Sequence, residues 1–117
     1  MLPKKNRVST NEVDKIFKEG KFLNSPNLTF KYIRNQRNQD KEIKISFIAP
    51  KSVAKLAVTR NLLRRRGYSA LGEYLREYIS EFPSGLRGLR GVFVFKKYQD
   101  DITTINNEIK NILDKIN

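Results

Sequence analysis

Hydrophobic and polar positions change period several times along the chain, and each change marks an element. Ser9-Thr10-Asn11-Glu12 has the form of a capping box, with Val13, Ile16 and Phe17 following at helical spacing. A short first helix ending at Gly20 is predicted. From Leu28 the period becomes two: Leu28, Phe30 and Tyr32 alternate with Thr29, Lys31 and Ile33, the pattern of a half-buried strand. Pro26 stands just ahead, where a strand start tolerates proline. The polar run from Asn35 to Lys41 reads as a hairpin loop. Ile43, Ile45, Phe47 and Ala49 against Lys44, Ser46 and Ile48 then give a second strand. If these strands pair, their large apolar side chains share one face, leaving Thr29, Lys31, Lys44 and Ser46 on the other. A basic face of that kind is by itself an ordinary solvated surface.

The next stretch, Pro50 to Tyr68, is built of helix formers up to Gly67. On a helix, Arg60, Asn61, Arg64, Arg65 and Tyr68 fall on one arc, and Leu56, Val58, Leu62, Leu63 and Ala70 mainly on the other. An amphipathic rod with an apolar back and a guanidinium front is predicted. Gly67 or Gly72 is expected to break or bend it. A second helical run carries Leu71, Leu75, Tyr78, Ile79 and Phe82, ended by Pro83. Ser84 to Gly91 lacks the Gly-Lys-Ser/Thr ending of a phosphate loop and reads as a connector in which Arg87 and Arg90 remain available to RNA. Val92 to Phe95 is apolar on both sides, as a central strand is. Asp100 or Asp101 caps a last helix striped by Ile102, Ile105, Ile109, Ile112, Leu113 and Ile116. The expected class is α+β, a small mixed sheet packed by helices in the order α-β-β-α-α-β-α. Strands two and three are far enough apart for a parallel crossover.

Charge adds the functional direction. The 117 residues form one domain, residues 1–117, with a formal net charge of +12 and a pI near 10.1. The excess is local: residues 1–50 carry a net +6, residues 51–66 another +6, and residues 67–117 balance at zero. No acidic residue occurs between Ile43 and Gly72. Helix faces left to solvent normally mix both signs, so this concentration indicates a polyanionic partner. The chain has neither Cys nor His, which removes disulfides, thiolate metal sites and the commonest general base. No apolar run is long enough for a membrane span, and the basic lead-in of residues 1–8 lacks the apolar centre of a signal peptide. A cytoplasmic protein with no membrane partner and no small-molecule substrate is expected. Paired Asp100 and Asp101 invite a metal-nuclease reading, but a helix cap is the more frequent role.

Lys51-Ser52-Val53-Ala54-Lys55, then Ala57-Val58-Thr59-Arg60-Asn61 and Arg64-Arg65, resemble the signature of the bacterial ribonuclease P protein component. The basic start through Arg7, the ending Ile16-Phe17-Lys18-Glu19-Gly20 and the element order extend the resemblance over nearly the whole chain. Two positions depart from the pattern: Leu62 replaces the second arginine of an Arg-Asn-Arg motif, and Ser52 the second lysine of a Lys-Lys pair.

The resemblance implies an α+β sandwich with a left-handed βαβ crossover, an exception to the usual handedness. It implies a subunit of the endoribonuclease that removes the 5′ leader of precursor tRNA, with ribonuclease P RNA and precursor tRNA as partners. Lys51, Lys55, Arg60, Asn61, Arg64, Arg65 and Arg66 would bind the catalytic RNA. Arg7, Val13, Phe17 and Lys31 would line a cleft for the single-stranded leader, Val13 standing where an aromatic residue is common. The protein would hold no catalytic residue and no metal, Mg2+ being bound by the RNA. The alternative is a non-catalytic, ribosomal-type RNA-binding protein.

Overall fold

In the computed structural model, which describes residues 8, 10–34, 43–76, 89–99 and 101–116, the order is α1 (Thr10–Glu19), β1 (Lys21–Asn24), β2 (Leu28–Arg34), β3 (Lys44–Ile48), α2 (Ala57–Arg76), β4 (Leu89–Phe95) and α3 (Ile102–Ile116). This is the predicted α+β succession with two differences. A short strand, β1, is added, and the helical runs expected on either side of Gly67 or Gly72 are one helix, α2. Edge strand β1 lacks a readable alternation because three of its four residues are exposed.

The sheet order is β1-β2-β4-β3, with β4 antiparallel to β2 and parallel to β3. Val92, Phe93 and Phe95 are all buried, as a strand covered on both faces requires. The expected β2–β3 hairpin pairing is not formed, because the more apolar β4 lies between the two strands. The parallel β3–β4 pair is joined through α2, so the anticipated crossover exists. The expected hairpin loop, Ser9, Tyr78, Ile79, Phe82, Pro83, Arg87 and Asp100 lie outside the described residues.

Register sorts the side chains onto two faces, since cross-strand partners point the same way. Leu28, Phe30, Ile45, Phe47, Phe93 and Phe95 form one face, under α2 and α3. Phe30, Phe93 and Phe47 make a row across three strands, with ring centroids 4.2 and 5.0 Å apart. From α3, Ile105, Ile109, Ile112 and Leu113 complete this core, while Ile102 is exposed. Asp101 is the cap: its Oδ1 accepts from the Thr103 amide at 2.9 Å and its Oδ2 from the Thr104 hydroxyl at 3.1 Å.

The close approach of α2 to the sheet explains why Gly67 does not interrupt the helix. A Cβ at that position would run into the Phe47 ring, so glycine is where the helix crosses β3. Tyr68 beside it is buried, its ring edge-on to Phe47 at 4.9 Å and its Oη accepting from the Phe47 amide at 3.3 Å. It therefore belongs to the core and not to the basic arc on which the sequence placed it.

Glu108 of α3 fixes the turn between β1 and β2. Its carboxylate accepts from the Ser25 hydroxyl at 2.5 Å, the Asn27 amide at 2.7 Å and Asn27 Nδ2 at 2.6 Å. Among the described residues, no helix is long and apolar enough to cross a membrane.

Candidate nucleic-acid interface

The side of α2 that faces the sheet carries Leu63, Gly67, Ala70, Leu71 and Leu75, all buried. Continued toward the helix N-terminus, the same side carries Arg60 and Arg64, at helical spacing from Gly67 and Leu71. The expected division into a basic front and an apolar back is thus corrected. One side is core in the C-terminal half and basic in the N-terminal half, while Leu56, Val58 and Leu62, assigned to the apolar back, are exposed.

Arg60 is tied to its own loop. Its Nη1 donates to the carbonyls of Ala54 at 3.0 Å and Lys55 at 2.8 Å, bracing the segment that enters the helix. That segment is already turned by the Val53 and Ala54 amides, which donate to Pro50 O at 3.0 and 3.2 Å. Lys51 and Lys55 stand exposed on it. Arg64 donates through Nη2 to Asn61 Oδ1, one turn away. Arg65 is exposed, and Arg66 reaches away to the Gln99 carbonyl at 3.4 Å. The seven residues are therefore brought to one end of α2, with Arg66 turned toward α3.

Among the described residues, no carboxylate lies within ion-pair distance of Arg60, Arg64, Arg65 or Arg66. The first turn of α2 contains no acidic residue, so the positive end of the helix dipole adds to these side chains. A polyanion is the chemistry that such a field attracts.

The other face of the sheet is organised by α1. Ile16 and Val92 are fully buried apart from the main core, which marks where the helix seats. Glu12 binds it electrostatically, with Oε2 3.4 Å from Arg90 Nε and Oε1 4.0 Å from Lys44 Nζ. Val8 donates its amide to Ser46 Oγ at 2.8 Å, which places Val8 against β3. Phe17 is 40% exposed, and Lys31 of β2 holds its Nζ 4.8 Å from the Phe17 ring centroid. Val13, half-buried, lies one turn before Phe17. Arg7 falls outside the described residues.

Phe22 is a neighbour of this pair that the sequence reading missed. It pairs in register with Lys31 and is 61% exposed, so a second aromatic ring lies on the face that carries Phe17 and Lys31. Its only sequence signal was an aromatic two residues after the glycine that ends α1, between Lys21 and Leu23. Arg90 and Glu12 were also not assigned there, because their pairing depends on β4 lying beneath α1. Among the described residues, no group of three or more His, Cys, Asp or Glu side chains converges as metal ligands.

The fold has structural relatives. The chain is similar to the RNase P protein from Thermotoga maritima, with 20% identity, a TM-score of 0.72, and 95% of this chain and 97% of that one covered. It is also similar to the Staphylococcus aureus RNase P protein, with 14% identity, a TM-score of 0.70, and coverage of 96% and 98%. No curated protein sequence matches it. The family model described as Ribonuclease P matches residues 2–117, and the chain belongs to the ribonuclease P protein family.

Proposed function

We propose that this chain is the protein subunit of a ribonuclease P ribonucleoprotein and binds two RNA segments on opposite faces of its sheet. The end of α2 that bears Lys51, Lys55, Arg60, Asn61, Arg64, Arg65 and Arg66 grips the ribonuclease P RNA. The α1 cleft, with Val13, Phe17, Lys31 and Phe22, takes the single-stranded 5′ leader of precursor tRNA. Arg7 is assigned to leader binding by the family resemblance alone. The observation that carries this reading is the cationic end of α2, which has no carboxylate partner among the described residues.

The division of labour follows from physical chemistry. Phosphate contacts by Arg and Lys release counterions and give affinity without reading sequence. Exposed aromatic rings beside an ammonium hold single strands by stacking, which tolerates any base. In this scheme the hydrolytic Mg2+ ions are held by the RNA. The protein screens repulsion between RNA segments and fixes the leader, lowering the magnesium the reaction requires.

The test is precursor-tRNA cleavage by ribonuclease P RNA across a magnesium titration, with and without the protein. Stimulation confined to low magnesium is expected, together with no cleavage by the protein alone. Failure to stimulate, or a preference for ribosomal RNA over ribonuclease P RNA, overturns the proposal.

A further inference from the structure

Three aliphatic side chains at the start of α2 are exposed among the described residues. Leu56 is 70%, Val58 78% and Leu62 40% exposed. Val58 and Leu62 lie one turn apart on the outward side of the helix, and Arg65 and Ser69 extend the same line. Exposed apolar residues scattered singly need no explanation, but these share one helix end. Val is also a poorer helix former than the straight-chain residues, so Val58 is not there for the helix.

We propose that this ridge packs against unpaired nucleobases of the bound RNA, so that the α2 surface recognises an internal loop or bulge and not a continuous duplex. The inference rests on the reading of this surface as an RNA-binding one. Charge selects the occupant: Arg65 lies on the ridge's own line, and Lys51, Lys55, Arg60 and Arg64 belong to the same end of α2, in a stretch free of acidic residues from Ile43 to Gly72. A second copy of the chain would bring the same cations against them. A regular A-form duplex offers phosphates, 2′-hydroxyls and base edges, none of which replaces the water lost from leucine and valine. An unstacked base offers a flat apolar face, while the phosphates on either side of it lie within the reach of arginines.

The experiment compares an RNA hairpin containing an internal loop with the same hairpin fully paired. The proteins are the intact chain, a Val58→Ser/Leu62→Ser variant, Leu56→Ser and Arg65→Ala. The double variant is expected to lose on the order of tenfold in affinity for the looped RNA, the scale of losing partial burial of two aliphatic side chains. It should bind the paired RNA as the intact chain does, and its slope of log affinity against log salt should not change. Arg65→Ala should reduce that slope by about one on both RNAs. Both replaced residues are exposed, so the melting temperature of the free double variant should hold, and Leu56→Ser, outside the helix, gives an independent reading of smaller size.

Unchanged binding by the double variant, equal losses on both RNAs, or a changed salt slope overturns the ridge. So does a dimer of the free chain that the double variant abolishes. If the intact chain binds ribonuclease P RNA no better than unrelated RNA, the proposed function fails, yet the contrast between looped and paired hairpins still decides this inference.

Discussion

Lys31 Nζ and the Phe17 ring, 4.8 Å apart, join the middle of β2 to the last turn of α1. The contact orients both partners. The ring is held at the edge of the helix with part of its surface open, and the ammonium is kept from folding into solvent. Phe22, in register with Lys31 on the adjacent strand, extends the same surface. A cation placed among rings offers a phosphate and its bases their preferred partners together.

Replacing Phe17 or Phe22 by Ala should weaken binding of leader-containing precursor tRNA while sparing mature tRNA. Loss of one stacked base corresponds to about 1–3 kcal/mol, or roughly 5- to 150-fold in affinity. Phe22 is the more open ring, at 61% against 40% for Phe17, so the thermal midpoint should move less in Phe22→Ala than in Phe17→Ala. Fluorescence titration of the two RNAs with each variant checks the expectation, and equal losses on both would remove the cleft assignment.

Arg60 and Arg64 should behave differently although they stand one turn apart. Arg64→Ala removes a cation and the Asn61 contact, so RNA affinity should fall and the salt slope should drop by about one, with little loss of stability. Arg60→Ala also strips the bonds to the Ala54 and Lys55 carbonyls, and should destabilise the free protein by about 1–2 kcal/mol. Denaturant melts of the two variants, beside salt titrations of RNA binding, separate bracing from phosphate contact.

Alternating strands and striped helices were legible because a single buried face imposes its period on the residues that supply it. β2, β3 and α3 followed such patterns, and β4 announced its central place by being apolar on both sides. The hairpin expectation failed because adjacency in sequence says nothing of a third strand inserted between two others. Helix α2 was misread by face because its two halves have different surroundings. Gly67, Tyr68 and Leu71 meet the sheet, whereas Arg60 and Arg64 occupy the same side beyond it, and no periodicity encodes where the sheet stops. Phe17 and Lys31 were reached through the family resemblance. Phe22 needed β1, a strand too short and too exposed to leave a pattern.

Glu108 should prove a stability residue with no direct part in RNA binding. Its carboxylate is buried and takes three hydrogen bonds from Ser25 and Asn27, pinning the β1–β2 turn to α3. Glu108→Ala removes the acceptor of the Asn27 amide and Nδ2, while the Ser25 hydroxyl keeps the Leu28 carbonyl, and should cost about 2–4 kcal/mol. Urea denaturation measures the loss. Binding of ribonuclease P RNA by the fraction still folded should match that of the unaltered protein, because α2 packs elsewhere on α3.

The two glycines of α2 should respond to alanine with opposite signs. At Gly72 a Cβ would meet nothing within 4 Å, and the residue lies in regular helix, so only backbone entropy is at stake. Gly72→Ala should therefore stabilise the protein by about 0.5–1 kcal/mol. At Gly67 the new methyl group would meet the Phe47 ring, itself stacked on Phe93 at the centre of the sheet. Relief requires α2 to lift or the aromatic row to shift, so Gly67→Ala should cost about 1–3 kcal/mol. Because α2 also carries the arginines, lifting it should weaken RNA binding in Gly67→Ala and leave Gly72→Ala unaffected. Thermal melts with parallel RNA titrations check both signs. A stabilising Gly67→Ala would mean that the helix does not cross β3 as closely as the Gly67–Phe47 contact requires.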